Sequence, residues 1–449
     1  MQSELSGKRV VVVGLGASGV AAVRLCLRRG ARVVATDGKP REALSPEALA
    51  LEGQGARIAA GGHAEAGFEA AEVVVVSPGV PPLAEVAAAE ARGAAVWGEI
   101  ELAVRSMAHA APVVAIGGTN GKSTTTSLIG AMLEAAGQRA FVGGNLGEPL
   151  ADHADESFDV VVLEVSSFQM ERVDAFRPHV AALLNVTDDH LDRYESFDAY
   201  ARAKGNAFRR QTPHDWAVVP AGDAVCARQA ARGKGHVVTF GPGGMVDVTD
   251  DAVVDARTGE RFARDAMALT GGHNGLNVAA AIACVVPLGV TAAVAREVLG
   301  TFQGLPHRTA FVAEVRGVRF YDDSKGTNVG ASVTALEGLR EPRAVLVAGG
   351  RDKGGSYAPL AEALARKGRA VVVMGEAADA IARAVGDRVP VSRARDMDEA
   401  VRAAASLAKP GDAVLLSPAC SSFDMFRDYE HRGDEFARAV RVLAKEAAA

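Results

Sequence analysis

The run GGTNGKSTTT, Gly117 to Thr126, follows the apolar segment 113–116 and precedes a stretch with helical apolar spacing. Glycines let the backbone turn sharply and aim N–H groups at phosphate oxygens, and a following helix adds the positive end of its dipole. Gly118, Thr119, Asn120 and Gly121 form the expected cradle. Lys122 would neutralise the β- and γ-phosphates, and Ser123 or Thr124 would offer a hydroxyl to Mg²⁺. The common eight-residue phosphate loop would place its first glycine at Ile116, so this run is a variant of it. A polar turn capped by Asn and Thr is the alternative reading. The succession of strand, Gly-Lys-Ser and helix favours the phosphate loop.

A nucleotide triphosphate needs a divalent ion, and oxygen donors suit one. Glu164 closes the apolar run beginning at Asp159 and is followed by SSFQ, Ser166 to Gln169. Further on, NVTDDHLDRY gathers Asp188, Asp189, His190 and Asp192 behind another apolar run, which suggests a second metal or phosphate contact. Near the N-terminus, VVVVGLGASGVAA places glycines at 14, 16 and 19, with Asp37 lying 23 residues after the first. Taken alone, that spacing points to a dinucleotide.

These residues require parallel strands that end near one another. Short β-branched runs alternate with Ala-, Leu-, Glu- and Arg-rich stretches in three blocks, the pattern of βαβ units. The first block holds apolar runs at 9–13, 32–36 and 73–77 with a helix expected over 21–29. The second holds PVVAIGG, DVVVLEV and HVAALLNV, followed by a Gly-rich segment from Phe240 that reads as a small hairpin excursion. The third follows GLPHR and has runs beginning at Val318, Ala344, Ala370 and Ala413. Ligands of such sheets collect at the strands' carboxyl ends.

Taken in order, GTNGKST, LEVSSFQ, NVTDDHLDRY, AYARAK, GGHNGLN, GLPHR, DDSKGTN, GGRDKGG and SPACSSFD resemble the Mur ligases, the ATP-dependent amino-acid-adding enzymes of peptidoglycan synthesis. Within that family VVGLGASG, SPG at 77–79, GGN at 143–145 and DDSKGTNVGA are most similar to members that add D-glutamate to UDP-N-acetylmuramoyl-L-alanine. The resemblance implies three α/β domains: a Rossmann-like UDP-binding domain over 1–100, a P-loop-type ATPase domain with a parallel sheet over 101–304, and a Rossmann-like amino-acid-binding domain over 305–449. It implies ATP as the phosphoryl donor and an acyl-phosphate intermediate that the amine of D-glutamate attacks. Positioning and electrostatics would carry that chemistry, with no nucleophilic Ser or Cys required.

The resemblance also assigns residues. Lys122, Glu164, His190 and Lys204 would be catalytic, with two Mg²⁺ ions held by Ser123, Glu164, His190 and Lys204, the last as a carbamate. Carbamylation needs a neutral amine, so the site should depress the Lys204 pKa. Asn274 and Asn277, with Arg308 and Asp323 from the third block, would form the adenine and ribose side of the ATP site. The UDP substrate would meet Leu15, Gly16, Ser18, Asp37, Lys39, Ser77, Gly79, Asn145, Ser166, Gln169 and His190. D-glutamate would meet Lys325, Thr327, Lys353, Ser422, Phe423 and Tyr429. Three positions depart from the family pattern: Gly326 where alanine is expected, Tyr429 where phenylalanine is common, and Gly38-Lys39 where a hydroxyl residue and arginine often follow the aspartate.

Composition bounds the remaining alternatives. At 449 residues, 49% hydrophobic and 23% charged, the chain reads as a soluble multidomain α/β protein. A net charge of −6 argues against a broad nucleic-acid surface. Four scattered cysteines lack metal or disulfide spacing and fit a cytoplasmic setting, with a monomer expected. A nicotinamide oxidoreductase would account for Gly14–Gly19 and Asp37 but not for the phosphate loop. A nucleotide switch would need no D-glutamate pocket. Sister ligases adding other amino acids, and folylpolyglutamate synthase, are the nearest competitors.

Overall fold

A computed structural model describes residues 4–189, 193–269, 272–352 and 354–448. The chain forms three α/β units, each on its own sheet. The first sheet is fully parallel, with spatial order Arg57–Ala60, Arg32–Asp37, Arg9–Val13, Val73–Val76, Ala95–Trp97. Its order reverses between Arg9–Val13 and Val73–Val76, so the turns after these two strands face the crevice where ligands of open sheets bind.

The helix after the first strand spans Ala17–Arg28, starting four residues earlier than the apolar spacing alone indicates. Gly16 caps it and Gly19 lies inside it, where a Cβ would sit 1.8 Å from the Gly14 carbonyl oxygen. The third glycine therefore permits close packing of the helix on its own turn. The early start is hard to see in the sequence because the first residues, Ala-Ser-Gly, carry no apolar periodicity.

The central sheet has nine strands. Its parallel part runs Ala140–Gly144, Val160–Glu164, Val113–Gly117, Val180–Leu183, Trp216–Pro220, His236–Phe240, Val246–Val248. Ala252–Asp255 and Glu260–Ala263 extend it antiparallel, which is the hairpin excursion expected from the Gly-rich segment. The strands at 113–117, 160–164 and 180–183 are adjacent, so the phosphate-loop run, Glu164 and Asn185 all leave the sheet at one edge. Gly272–Val285 and Lys122–Ala135 pack together over this sheet around Ile116, Leu128, Val278 and Ile282. An all-apolar helix of the sequence AAAIACV is stable here because it is buried on every side.

The third sheet orders as Ala310–Val315, Val318–Asp322, Ala413–Leu416, Ala344–Gly349, Gly368–Met374, Val391–Arg393, with only the first pair antiparallel. The first and central units share one apolar core, in which Leu25 and Ile100 meet Leu150 and Ala151. Arg28 and Arg29 pair with Asp155 across the same junction. Among the described residues no helix is long and apolar enough to cross a membrane.

Candidate active site

The run 117–121 is a tight turn that requires glycine at two places. Gly118 has φ +143° and Gly121 φ +86°, and a Cβ on Gly121 would lie 2.4 Å from Asn277 Oδ1. Lys122 then opens the helix, and its Nζ donates to the Thr119 carbonyl at 2.9 Å. The N–H groups of Thr119 and Asn120 do not face the cavity as the cradle reading expects; both donate to Asn185 Oδ1, at 3.1 and 2.9 Å. Asn185 braces the loop, and the N–H groups from Gly121 through Thr124 remain at the helix N-terminus.

Glu164 is buried at the end of its strand. Its Oε1 accepts from Asn145 Nδ2 at 2.6 Å, while Oε2 is buried without a hydrogen-bond partner among the described residues. Burial raises its pKa, but Lys122, Ser123, Asn145 and Arg308 more than offset that and hold it below the usual carboxylate range. A buried, ionised carboxylate with an oxygen unsatisfied is a fitting donor for a hard cation beside Ser123.

Lys204 ends the helix Phe197–Lys204 and is buried, with Nζ donating to the Gly118 carbonyl at 2.7 Å and lying 4.6 Å from the Tyr200 ring centroid. Burial and the neighbouring Lys122 drive its pKa well down, favouring the neutral amine. Among the described residues no group of three His, Cys, Asp or Glu side chains is set to hold a metal. His190 and Lys353 lie outside the described residues.

The third unit closes the other wall of a cavity of about 260 Å³. Arg308, Asp323, Lys325 and Thr327 line it with Asn274, Asn277 and the phosphate loop. Arg308 Nη2 donates to Ser123 Oγ at 2.7 Å, and Asn277 Nδ2 to Asn274 Oδ1 at 3.1 Å. Lys325 Nζ sits 3.7 Å from the Tyr429 ring centroid; burial, Arg308 and Lys122 bring its pKa down to about 8. Burial raises Asp323 to about 7, although Ser417 Oγ donates to it at 2.6 Å. Ser422 is buried and Phe423 is 62% exposed, and neither lines this cavity or the next.

A second cavity, of about 700 Å³, opens at the glycine turn of the first unit. Gly16, Ser18, Asp37, Lys39, Ser77 and Gly79 line it together with Asn145 and Gln169 from the central unit. Leu15 lines an adjoining cavity that shares Gly16, Asp37 and Lys39. Within this group Asp37 is a structural brace. Its carboxylate accepts from the N–H groups of Leu15 at 2.7 Å and Lys39 at 2.9 Å, tying the turn to its neighbour. Ser77 Oγ donates to the Gly14 carbonyl at 2.8 Å. Ser166 caps Ser167–Glu171 in a capping box with Gln169 and lies outside the cavity lining. In that box Gln169 Oε1 accepts from the Ser166 N–H at 2.9 Å and the Ser166 hydroxyl at 3.1 Å.

Asn145 belongs to both cavities. Sequence reasoning missed His63, which lines the second cavity with Nδ1 3.0 Å from Thr36 Oγ1. It also missed Asn328, which caps Val329–Gly338 and reaches Asn120 Oδ1 at 3.2 Å. A helix-capping Asn was legible ahead of VGASVTALEG, but its second contact was not.

The fold and these two joined cavities define a three-domain α/β protein organised about a phosphate loop. Family profiles match all three units: the MurD-like N-terminal domain of Mur ligases over 8–98, the Mur ligase middle domain over 116–285, and the Mur ligase glutamate ligase domain over 307–420. The chain belongs to the Mur ligase family. It is 45% identical over 451 residues to the UDP-N-acetylmuramoylalanine--D-glutamate ligase of Geobacter metallireducens, covering 98% of each chain. It is 46% identical to the ligase of the same name from Anaeromyxobacter dehalogenans, covering 98% of this chain and 99% of that one. Among solved structures, MurF ligase of Thermotoga maritima in complex with ADP superposes with a TM-score of 0.64 at 19% identity, covering 99% of this chain and 96% of that one. UDP-N-acetylmuramate-alanine ligase MurC from Thermotoga maritima gives 0.60 at 19% identity, covering 97% and 99%.

Proposed function

We propose that the chain joins D-glutamate to UDP-N-acetylmuramoyl-L-alanine at the cost of ATP, giving ADP and phosphate, in the synthesis of peptidoglycan precursors. The observation that carries this is the shared wall at Asn145: a phosphate-loop cavity opens beside a second cavity built on a glycine turn. A sugar-nucleotide diphosphate seated on the N-terminus of Ala17–Arg28 would extend its carboxylate towards the γ-phosphate held at Lys122. Names of the relatives supply the amino acid.

The chain's own groups favour phosphoryl transfer to that carboxylate. Lys122, Arg308 and Lys325 line the cavity with positive charge that would oppose the charge of the phosphates. Glu164 and Ser123 would hold Mg²⁺, with Lys204 as a carbamate and His190 completing a second site. When bound, Mg²⁺ would offset charge on the phosphates and align them. Lys325 and Thr327, which line the cavity, and Tyr429, which lies outside its lining with its ring against Lys325, would receive the incoming amino acid, with Lys353, Ser422 and Phe423 assigned to it by resemblance. The proposed units are 1–100, 101–304 and 305–449, working in the cytoplasm as a monomer.

Phosphate release in the presence of UDP-N-acetylmuramoyl-L-alanine tests the reading, comparing D-glutamate with L-glutamate, L-alanine and diaminopimelate. Release that depends on D-glutamate is expected. Release without it, or preference for another of the three, rejects the assignment.

A further inference from the structure

We infer that His153, acting as an imidazolium, is a positioning residue for the UDP-substrate cavity: it grips Glu148 and Glu156 and thereby fixes the segment 145–149 that walls that cavity. The inference rests on the proposed occupant of the cavity. His153 closes the short helical turn Leu150–His153. Its Nε2 lies 2.6 Å from Glu148 Oε2 and its Nδ1 2.8 Å from Glu156 Oε1. Ionised carboxylates only accept hydrogen bonds, so both contacts are satisfied together when both ring nitrogens carry protons.

The surroundings keep the ring in this position. Phe141 packs against it, with centroids 5.1 Å apart. Arg139 secures the far carboxylate oxygen of Glu156 at 2.6 Å. The other nearby acids are engaged elsewhere: Asp155 pairs with Arg28 and Arg29, Asp152 lies 3.7 Å from Arg24, and Asp159 accepts from the Arg139 N–H. Glu99 accepts from the Ala151 N–H beneath the turn. Burial opposes the charge on His153, yet Glu156 and Glu148 outweigh it and raise the pKa above the ordinary value. The grip is therefore complete below that raised pKa and lost as pH climbs through it.

Glu148 transmits the grip. Its carbonyl accepts from the Gly144 N–H at 3.0 Å, and Asn145, Gly147 and Pro149 around it line the cavity. A neutral imidazole can donate to only one carboxylate, releasing one side of the segment.

The test compares wild type, His153→Gln and His153→Arg from about pH 6 to about pH 9, the span in which histidine changes charge. ATP and D-glutamate are saturating, and KM for UDP-N-acetylmuramoyl-L-alanine is separated from kcat. His153→Gln should raise KM about fivefold at the acid end, leave kcat within about twofold, and converge with wild type at the alkaline end. His153→Arg stays charged and can span two carboxylates, so it should keep the low KM at every pH. Hydrogen exchange of the peptide spanning 144–149 at matched pH gives a readout that needs no substrate; His153→Gln should exchange faster and His153→Arg should not. Equal KM shifts in both variants, a loss confined to kcat, or unchanged exchange in His153→Gln would each overturn the inference. If no variant and not the wild type turns over this substrate, the functional assignment fails while the exchange comparison still decides the grip.

Discussion

Arg308 donates through Nη2 to Ser123 Oγ at 2.7 Å, so a guanidinium from the third unit rests on the first turn of the helix that follows the phosphate loop. The contact spans the junction between two sheets and places a fixed charge where terminal phosphates would lie. Arg308→Ala should lower kcat by about 10²-fold, the scale of losing one charged donor to a developing anion. Arg308→Lys should recover only part, because a single ammonium cannot reproduce the planar fork. Steady-state rates with ATP varied decide it; an alanine variant within about twofold of wild type would sink the role.

Lys122 offers a sharper separation of the two cavities. Lys122→Ala should reduce phosphate release about 10²–10³-fold while the UDP substrate still binds, since the glycine turn that would receive it belongs to another unit. Calorimetric titration of the variant with the UDP substrate checks this. Equal loss of binding and turnover would show that the cavities are not divided as described.

Asn145 should behave otherwise, because it faces both cavities and holds Glu164 at 2.6 Å. Truncation to alanine leaves a buried carboxylate oxygen unpaired, a penalty of about 1–3 kcal/mol. Asn145→Ala is expected to lower kcat and raise KM for the UDP substrate by about tenfold each. A change in only one parameter would contradict its place between the sites.

The buried Lys204 amine is expected to take up CO₂. Protein equilibrated with isotope-labelled bicarbonate should incorporate label at that lysine and lose it in Lys204→Arg, whose side chain stays protonated. Depression of the lysine pKa by burial and by Lys122 favours the neutral amine that carbamylation needs. An unlabelled Lys204 in fully active enzyme would end the proposal.

Stability should respond to Glu99, which starts the helix Glu99–Ser106 in the core shared by two units. Burial raises its carboxyl from 4.5 to about 7, and Oε2 has no hydrogen-bond partner among the described residues. The native state therefore keeps a proton that the unfolded chain releases in this window. Glu99 supports the fold fully below about pH 4.5, and that support is lost as pH rises through about 7. Glu99→Gln should match wild type in acid and exceed it at alkaline pH by up to about 3 kcal/mol. Denaturation curves at both ends test this, and a pH-independent difference would refute it.

Much of the architecture was legible in local pattern. The β-branched runs at 9–13, 113–117, 160–164 and 344–349 became central parallel strands, because a strand covered on both faces needs no polar alternation. Edge and short strands, such as Ala140–Gly144 and Val391–Arg393, escaped notice since three to five residues with exposed positions carry little periodicity. Asp37 was legible as a partner of the glycine turn, but its carboxylate serves one backbone N–H of that turn, at Leu15, and one of its own loop, at Lys39.

What the chain determined by itself was chemical identity and order: glycines where φ turns positive at 118 and 121, a lysine opening the next helix, and carboxylates at strand ends. These are properties of neighbouring residues and survive without knowledge of the fold. Tertiary structure alone decided which distant groups meet. Asn185 turns two loop N–H groups inward, Arg308 reaches Ser123 across 185 positions, and Asn145 stands in two cavities at once. Sheet order sets such meetings, and that order depends on how separate apolar surfaces bury one another rather than on any local spacing.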